Sequence, residues 1–303
     1  MLKEWGHERR GDYAGFLWRA ATDPAIFASF RRDPQYRAVV ETVWQETGQA
    51  CLDRIADARV RGLCLGSAEA DAVGDPVTFT YGGARLAPTT LRYGKILDDL
   101  IRYFPDFSNI EDVVEIGIGH GGQARLIAGF AAAAGTRLKT YSCLDLAPAL
   151  LLARQYLEHF RLAPRFRFLS KLELDPEQCW GLAISNYAFS ELGIALQEEY
   201  LERVLSRAEA GYLTMNSGLA EGQWRGQTCL TAEALLGRLP NAVLCREDPA
   251  TAPDNYVLLY GRHAVAGVPI DLLRSEARAR AAATPVSRAR RRFLSRIGAP
   301  ARG

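Results

Sequence analysis

The stretch most suited to chemistry is a glycine-rich turn that follows a short apolar run. It reads VVEIGIGHGG over residues 113–122, and helical spacing begins directly after it. Gly117 and Gly119 permit backbone angles and a close ligand approach that a Cβ atom would prevent. A strand that enters a helix through such a turn is a typical nucleoside-binding arrangement. The turn therefore predicts a ligand bound over the carboxyl end of this strand.

Two carboxylates stand where they can recognise parts of such a ligand. Glu115 comes two residues before Gly117, where it would repel a pyrophosphate but suit a cationic amino group. Asp145 lies at the end of the next apolar run, about 23 residues after Gly122, and can accept hydrogen bonds from both ribose hydroxyls. The competing explanation for Asp145 is an N-cap of the helix near Pro148, and both roles can hold together.

The surrounding elements predict the frame that positions these residues. Strand-like apolar runs cover residues 113–116, 140–144, 166–169, 182–184 and 212–215, with helical patterns at 123–134, 148–160 and 197–208. Such alternation is typical of parallel βαβ units with helices on both faces. After another helix near 231–239, runs at 241–245 and 255–260 are separated by too few residues for a helical crossover. We therefore expect an α/β sheet, mostly parallel, with a C-terminal antiparallel strand pair.

Residues 1–77 are predicted to form a helical N-terminal segment. Asp33 and Pro34 match an N-cap and a first-turn proline, and apolar residues from Tyr36 to Cys51 recur at helical spacing. The segment can cover the carboxyl end of the sheet or contact a second subunit of a homo-oligomer, and the sequence leaves both open. The stretch 66–94 has Gly and Pro but no sustained period, which predicts an irregular connection.

The charge of the chain is unevenly distributed. The net charge is +2 over 303 residues, but residues 271–303 hold nine Arg against two acidic residues, a net +7, which leaves −5 for the rest. On bulk charge the body is therefore not a nucleic-acid binder. The predicted basic tail, residues 266–303, could contact acidic glycan, lipid headgroups or nucleic acid, but a solvated or disordered terminus is the expectation.

Composition and cysteine usage bound the class of protein. Hydrophobic residues make up 48% and charged residues 24%, which excludes a disordered chain. The longest nearly unbroken apolar run, Leu126–Ala134, is far too short for a bilayer span, and no apolar signal segment opens the sequence. The six Cys show no metal-ligand spacing and fit reduced structural thiols. We expect a soluble, cytoplasmic protein.

Four segments together resemble a known family, the sugar O-methyltransferases among the class I S-adenosylmethionine-dependent methyltransferases. They read VVEIGIGHGGQ, CLDL, SNYAFSEL and GYLTMN, and the resemblance spans about residues 78–262. It implies a Rossmann-like methyltransferase domain at 78–265 with S-adenosyl-L-methionine as cofactor. The residues that it implies for cofactor binding are Glu115, Gly117, Gly119, Gly121, Gln123, Asp145, Leu146 and Asn186.

Methyl transfer requires a hydroxyl oxygen held in line with the methyl group, and orientation supplies much of the rate. A general base or a metal would add ~10²–10⁴-fold. His120 and Glu191 are the candidates for the base. His120 can instead shield the cofactor or cap a helix, and Glu191 can pair with an arginine such as Arg125. The acids form no compact run that demands a divalent metal, so metal use stays open.

The predicted activity is O-methyl transfer to a hydroxyl of a sugar or a glycosylated metabolite. Tyr81, Arg92, Tyr93 and Tyr187 are expected to contact the acceptor or to form a lid over it. One alternative is an NAD(P)-dependent oxidoreductase, since Gly117-x-Gly119-x-x-Gly122 also fits a dinucleotide fingerprint, although the chain lacks a Tyr-x-x-x-Lys pair. The other is a non-catalytic, methyltransferase-like partner protein.

Overall fold

A computed structural model describes residues 13–219, 222–224 and 226–283. The elements that precede the main sheet are α1 (Tyr13–Thr22), α2 (Pro24–Phe27), α3 (Pro34–Arg37), α4 (Gln45–Arg54), α5 (Ala58–Leu65), α6 (Ala68–Asp71), β1 (Phe79–Tyr81), β2 (Ala84–Leu86) and α7 (Pro88–Tyr103). The elements that follow are β3 (Asp112–Ile116), α8 (Gly122–Ala134), β4 (Thr140–Leu144), α9 (Ala147–Leu157), β5 (Arg165–Leu169), β6 (Leu182–Asn186), α10 (Ile194–Arg203), β7 (Ala210–Met215), β8 (Gln223–Trp224), β9 (Gln227–Thr228), α11 (Ala232–Leu236), β10 (Val243–Arg246), β11 (Tyr256–Gly261) and α12 (Ile270–Ala283).

The main sheet has seven strands in the order β10-β11-β7-β6-β3-β4-β5. Strands β3 to β7 pair in parallel. Strand β11 lies antiparallel between β7 and β10. The order reverses beside β3, which places β4 and β6 on either side of it. The predicted fold class is thus confirmed, including the antiparallel pair at the C-terminal end.

Both faces of the sheet are covered, as expected for strands that are apolar throughout. Successive side chains of a strand point to opposite faces. Val113 therefore packs in the core with Leu126 of α8, whereas Val114 packs on the other side with Leu201 of α10. This burial on both faces fixes the register, so the carboxyl ends of β3, β4 and β6 meet along one edge.

The N-terminal helices find their packing partners within the same chain. Phe16 and Leu17 of α1 are buried against Leu152 and Tyr156 of α9. Helices α4 and α5 pack instead in the core that contains α7 and α8. Among the described residues, the helical segment thus wraps one flank of the sheet and its carboxyl edge.

The helical spacing predicted from Tyr36 to Cys51 is wrong over part of its length. Asp33 caps α3 as predicted, accepting a hydrogen bond of 2.8 Å from the Gln35 amide. That helix ends at Arg37, and residues 41–44 are not helical. Val39 and Val40 close a turn after that helix, since both amides donate to the Tyr36 carbonyl, at 3.1 and 2.9 Å. With Val43 they line a cavity described below, so their burial is set by that cavity and not by a helical face.

The stretch 66–94 is also more regular than predicted. It contains α6, the hairpin β1–β2 and the first turns of α7. Gly82 and Gly83 both have positive φ, as a two-residue hairpin turn requires. Pro88 then supplies the first residue of α7. The Gly-Gly pair and this proline are the sequence signals of the hairpin and the helix, and the prediction of an irregular connection did not use them.

Part of the predicted basic tail is a packed helix. Leu273 and Ala277 of α12 are buried in the core on the sheet face that also holds Leu201 of α10, and Arg246 pairs with Glu276. The apolar positions lie four residues apart and form one helical face, which explains the packing. The Arg-rich residues 288–296 lie outside the described residues. No helix in the described parts of the chain has the length and apolar character needed to cross a membrane.

A fully buried arginine ties the N-terminal segment to the rest of the fold. The Arg31 Nε lies 2.6 Å from Glu41 Oε1, and its Nη1 lies 2.9 Å from Asp71 Oδ1. Asp71 also accepts hydrogen bonds from the Ala87 amide at 2.5 Å and the Thr90 hydroxyl at 2.7 Å. One charge cluster therefore connects the chain before α4 with α6 and the start of α7.

We expect Arg31→Met to lower the free energy of unfolding by about 3–5 kcal/mol, because it leaves buried carboxylates without a counter-charge. The neighbouring Arg32→Met is the matched control. Arg32 and its partner Asp75 are more than half exposed, so its loss should cost under about 1 kcal/mol. Urea unfolding of both variants measures the difference. Similar values for the two would show that the buried cluster does not stabilise the fold.

Candidate active site

A cavity of about 420 Å³ opens at the carboxyl edge of the sheet. Its floor is formed by residues at the ends of β3, β4, β6 and β7. The lining residues from that floor include Glu115, Gly117, Ile118, Gly119, Asp145, Leu146, Asn186, Tyr187, Ala188, Glu191, Leu192 and Asn216. The cavity lies where the strand order reverses, which is the usual ligand position in an open parallel sheet.

The glycine turn has the backbone that its sequence predicts. Gly117 and Gly119 have φ of +82° and +57°, in the left-handed region. A Cβ atom on Gly117 would lie 2.0 Å from the Ala188 Cβ, so the turn contacts the chain after β6 directly. Gly121 has a different role from the predicted one: it does not line the cavity, and a Cβ there would meet Leu157 of α9.

Glu115 is a buried carboxyl at the cavity floor. Its side chain accepts a hydrogen bond of 2.7 Å from the Tyr141 hydroxyl, and the residue is only 2% exposed. Burial raises its pKa to about 8, the nearby Asp145 adds to the rise, and the Tyr141 hydrogen bond opposes it. At pH 7 the free protein therefore holds Glu115 mostly protonated.

Asp145 lies beside Glu115, one residue past the end of β4. Its carboxylate accepts hydrogen bonds from the Gly119 amide at 3.1 Å and the Leu146 amide at 2.7 Å. Burial raises its pKa to about 6, and these two hydrogen bonds oppose that rise. Each oxygen keeps acceptor capacity for a ligand. The N-cap of α9 is Leu146, so Asp145 does not occupy the alternative position.

The chain after β6 supplies the next wall. The Asn186 Oδ1 accepts a hydrogen bond of 3.4 Å from the Thr214 hydroxyl, and its side chain also interacts with Glu115, where it opposes the rise of that pKa. Tyr187 has a φ of +67°, a rare conformation for a bulky side chain. Its hydroxyl donates to Glu247 and lies 3.0 Å from the Thr251 hydroxyl, which links this wall to the β10–β11 loop.

Glu191 lines the cavity, as predicted for a candidate base. Asn216 Nδ2 donates a 2.8 Å hydrogen bond to Glu191 Oε1. Asn216 is held in turn, because its backbone amide donates to the Ser190 hydroxyl oxygen at 3.1 Å. The pairing with Arg125 that the sequence left open is not observed; the Arg125 Nη1 contacts the Ser67 hydroxyl at 3.4 Å.

His120 does not reach the cavity, which argues against its predicted role as a base. Its Nδ1 shares a hydrogen bond of 2.8 Å with the Tyr36 hydroxyl, and its ring packs edge-on against Tyr156 at 4.7 Å. Burial, assisted by Arg31 and other nearby arginines, holds its pKa well below the usual 6.5. A buried, neutral imidazole at this position packs the N-terminal helices against the glycine turn.

Other predicted residues divide by position. Arg92 and Tyr93 line the cavity, but from helix α7 and not from an irregular lid. Tyr81 is buried in β1, where its hydroxyl donates to the Gln45 carbonyl at 3.1 Å, and it does not line the cavity. Gln123 is also away from it, donating to the Tyr93 carbonyl at 3.2 Å.

Two groups of cavity residues were not predicted from the sequence. They are Tyr13, Val39, Val40, Thr42, Val43, Trp44 and Thr47 from the N-terminal segment, and Thr251, Ala252, Asp254 and Asn255 from the β10–β11 loop. Residues 41–44 belong to no helix or strand, and Trp44 is 77% exposed at the cavity margin. No local pattern marked the loop, because its role depends on β11 inserting beside β7.

The site can accept a ligand with cationic and polyhydroxyl parts near Glu115 and Asp145. It also offers the Glu191 carboxyl, which follows β6. Within the described ranges, no group of three or more His, Cys, Asp or Glu side chains is arranged to hold a metal ion.

Comparisons with known proteins add little beyond the fold. No family model matches the sequence, and no curated protein matches it. Similar solved structures include the magnesium protoporphyrin IX methyltransferase of Synechocystis PCC 6803 with bound SAM, at 13% identity and a TM-score of 0.41 over 57% of this chain and 79% of that one. Another is a SAM-dependent methyltransferase from Aquifex aeolicus, at 15% identity and a TM-score of 0.37 over 55% and 88%. At these identities and TM-scores the similarity concerns the fold alone.

We expect Gly117→Ala to destabilise the protein more than Gly135→Ala. Both glycines have left-handed backbone, which costs alanine about 1–2 kcal/mol. A Cβ on Gly135 meets nothing within 4 Å, whereas one on Gly117 collides with Ala188. The difference between their free energies of unfolding in urea therefore measures the contact between the turn and the β6 loop. Equal destabilisation would show that this contact is readily relieved.

Proposed function

We propose that the protein is an S-adenosylmethionine-dependent methyltransferase. The observation that carries the proposal is the pair of carboxyls, buried Glu115 and half-buried Asp145, at adjacent strand ends beneath a left-handed glycine turn. Glu115 suits the cationic amino group of the cofactor's methionine part, and Asp145 suits the two ribose hydroxyls.

Other features of the cavity fit the same cofactor. Gly117 and Gly119 leave the turn without side chains on the ligand side, so the backbone can be approached closely. The Asn186 amide, which interacts with Glu115, lines the same floor and adds a donor to its polar surface. When bound, S-adenosylmethionine would supply an electrophilic methyl group. We propose Glu115, Gly117, Gly119, Asp145, Leu146 and Asn186 as the residues that hold it.

An NAD(P)-dependent oxidoreductase is the weaker reading of the same turn. A dinucleotide places its pyrophosphate at the glycine turn and the following helix N-terminus. Glu115 lines that region and is mostly protonated at pH 7, and a pyrophosphate beside it would raise its pKa further and gain no counter-charge from it.

For the acceptor, we propose a hydroxyl of a sugar or a glycosylated metabolite. The upper cavity combines hydrogen-bonding side chains with an aromatic surface, a combination that suits polyhydroxylated rings. The polar residues are Thr42, Thr47, Asn216, Thr251, Asp254 and Asn255. Trp44, at the margin, presents the aromatic face.

Glu191 is the proposed general base of the transfer. Its Oε2 has no hydrogen-bond partner among the described residues, while Asn216 holds Oε1. That free oxygen would accept the proton of the acceptor hydroxyl as the oxygen–methyl bond forms and the methyl–sulfur bond breaks, with S-adenosylhomocysteine as the leaving group. The proton would then leave to solvent after release of the product. The N-terminal segment over the cavity would exclude water during this step.

Calorimetry with S-adenosylhomocysteine tests the cofactor assignment. At pH 7 Glu115 is mostly protonated, since its pKa is about 8. A ligand ammonium group beside it favours the carboxylate and lowers that pKa, so binding should release up to about one proton. Titrations in two buffers of different ionisation enthalpy give the number of protons released.

Glu115→Gln is the matched variant for this titration. It should weaken binding about tenfold or more and abolish the proton release, since an amide cannot ionise. No heat from S-adenosylhomocysteine at high concentration, or its displacement by NADH at comparable concentration, would reject the methyltransferase assignment.

Glu191→Gln separates catalysis from cofactor binding. The amide keeps the shape but cannot accept the proton, so kcat should fall by about 10²–10⁴-fold while S-adenosylhomocysteine affinity stays unchanged. The readout is methyl transfer to the best hydroxylated acceptor found in a sugar panel. An unchanged kcat would remove Glu191 from the mechanism.

A further inference from the structure

Arg92 is a buried cation that no acid among the described residues neutralises directly. It projects from α7, lines the cavity and is only 9% exposed. Its Nε has no hydrogen-bond partner, and in the described parts of the chain no carboxylate lies within 4.0 Å of its guanidinium nitrogens. Lys95, one turn further along α7, shows the usual alternative: it pairs with Asp99 at 2.7 Å.

Two tyrosines flank the Arg92 guanidinium. Its central carbon lies 5.4 Å from the Tyr187 ring centroid and 5.6 Å from that of Tyr93. Such contacts stabilise the cation and restrict its orientation, but aromatic rings do not use its N–H donors. The group is thus held in position with hydrogen-bonding capacity left over.

Glu247 is the acid whose charge acts on Arg92, yet its carboxylate is engaged elsewhere. The Tyr187 hydroxyl donates to Glu247 Oε1, and the Thr251 amide donates to Oε2 at 2.7 Å. These bonds hold Glu247 on the β10–β11 loop, and Arg92, which lines the cavity, forms no ion pair with it.

Burying a charge without a paired partner is unfavourable, so this arrangement suits a counter-ion supplied by a ligand. The planar guanidinium fork matches a carboxylate, which it can bind through two parallel hydrogen bonds. We propose that Arg92 binds a carboxylate of the ligand in this cavity. The inference deepens the proposed function and rests on it. The carboxylate belongs either to the methionine part of the cofactor or to an acidic acceptor of the uronic acid type.

The test compares wild type with Arg92→Met, with Arg102→Met as control. Arg102 lies on the same helix but is half exposed and paired with Asp99. Calorimetry uses S-adenosylhomocysteine and its decarboxylated analogue. Ligand-detected NMR uses D-glucuronate and D-glucose, with and without S-adenosylhomocysteine. Thermal unfolding confirms that both variants fold.

If Arg92 binds the cofactor carboxylate, Arg92→Met should weaken S-adenosylhomocysteine roughly 10- to 100-fold and leave the decarboxylated analogue unchanged. If it binds the acceptor, both nucleosides bind normally, and the preference of wild type for glucuronate over glucose disappears in Arg92→Met. Arg92→Lys should restore only part of either effect, because it keeps the charge without the fork.

Equal S-adenosylhomocysteine affinity in wild type and Arg92→Met, with no carboxylate-dependent difference between the two sugars, overturns the inference. Failure of the proposed function is distinguishable from this. In that case wild type itself binds neither nucleoside, while the sugar comparison without nucleoside still tests Arg92.

Discussion

The placement of two carboxyls at adjacent strand ends, Glu115 buried and Asp145 half-buried, constrains the site more than any other feature. Parallel pairing of β3 with β4 sets Glu115 opposite Cys143, so Asp145 follows close to it at the same edge. Desolvation raises both pKa values. Asp145 raises the pKa of Glu115 further, whereas hydrogen bonds from two backbone amides oppose the rise at Asp145. The fold therefore maintains a site that is electrostatically unfavourable until a ligand supplies positive charge and hydroxyl donors. Acidic groups with such raised pKa values are typical of a binding site.

The N-terminal segment shows how stability and the site are linked. Arg31 bonds Glu41, and residues 42–44, which follow it, form the cavity roof. His120 is held by Tyr36 of α3, so the glycine turn contacts the same segment. Because Arg31 also pairs with Asp71, which accepts a hydrogen bond from Thr90 of α7, the buried charge cluster connects the roof to α7. The geometry of the upper cavity thus depends on a helical segment whose sequence carries no recognisable site motif.

The sequence allowed the sheet to be predicted because its strands are short, apolar and bounded by turns. The floor of the site followed from the same logic, since Glu115, Gly117 and Asp145 come at strand ends that pairing brings together. The residues of the roof could not be predicted, because Val39 and Trp44 reach the cavity only through the tertiary packing of residues between two helices. His120 was misplaced for a related reason: its position in the turn was correct, but only the surrounding aromatic residues determine which way its ring points.

The lining of the cavity carries groups of both charges, and this limits which ligands can fill it. Glu115 and Asp145 lie at the floor beside β3 and β4, whereas Arg92 projects from α7 beside Tyr187. A ligand with only positive groups would leave the arginine unsatisfied, and one with only negative groups would raise the cost of ionising the two acids. A bound pair of ligands, or one zwitterionic molecule, satisfies both sets of groups. The left-handed backbone of Tyr187 is consistent with this division, because it holds the ring beside Arg92 while the hydroxyl bonds Glu247.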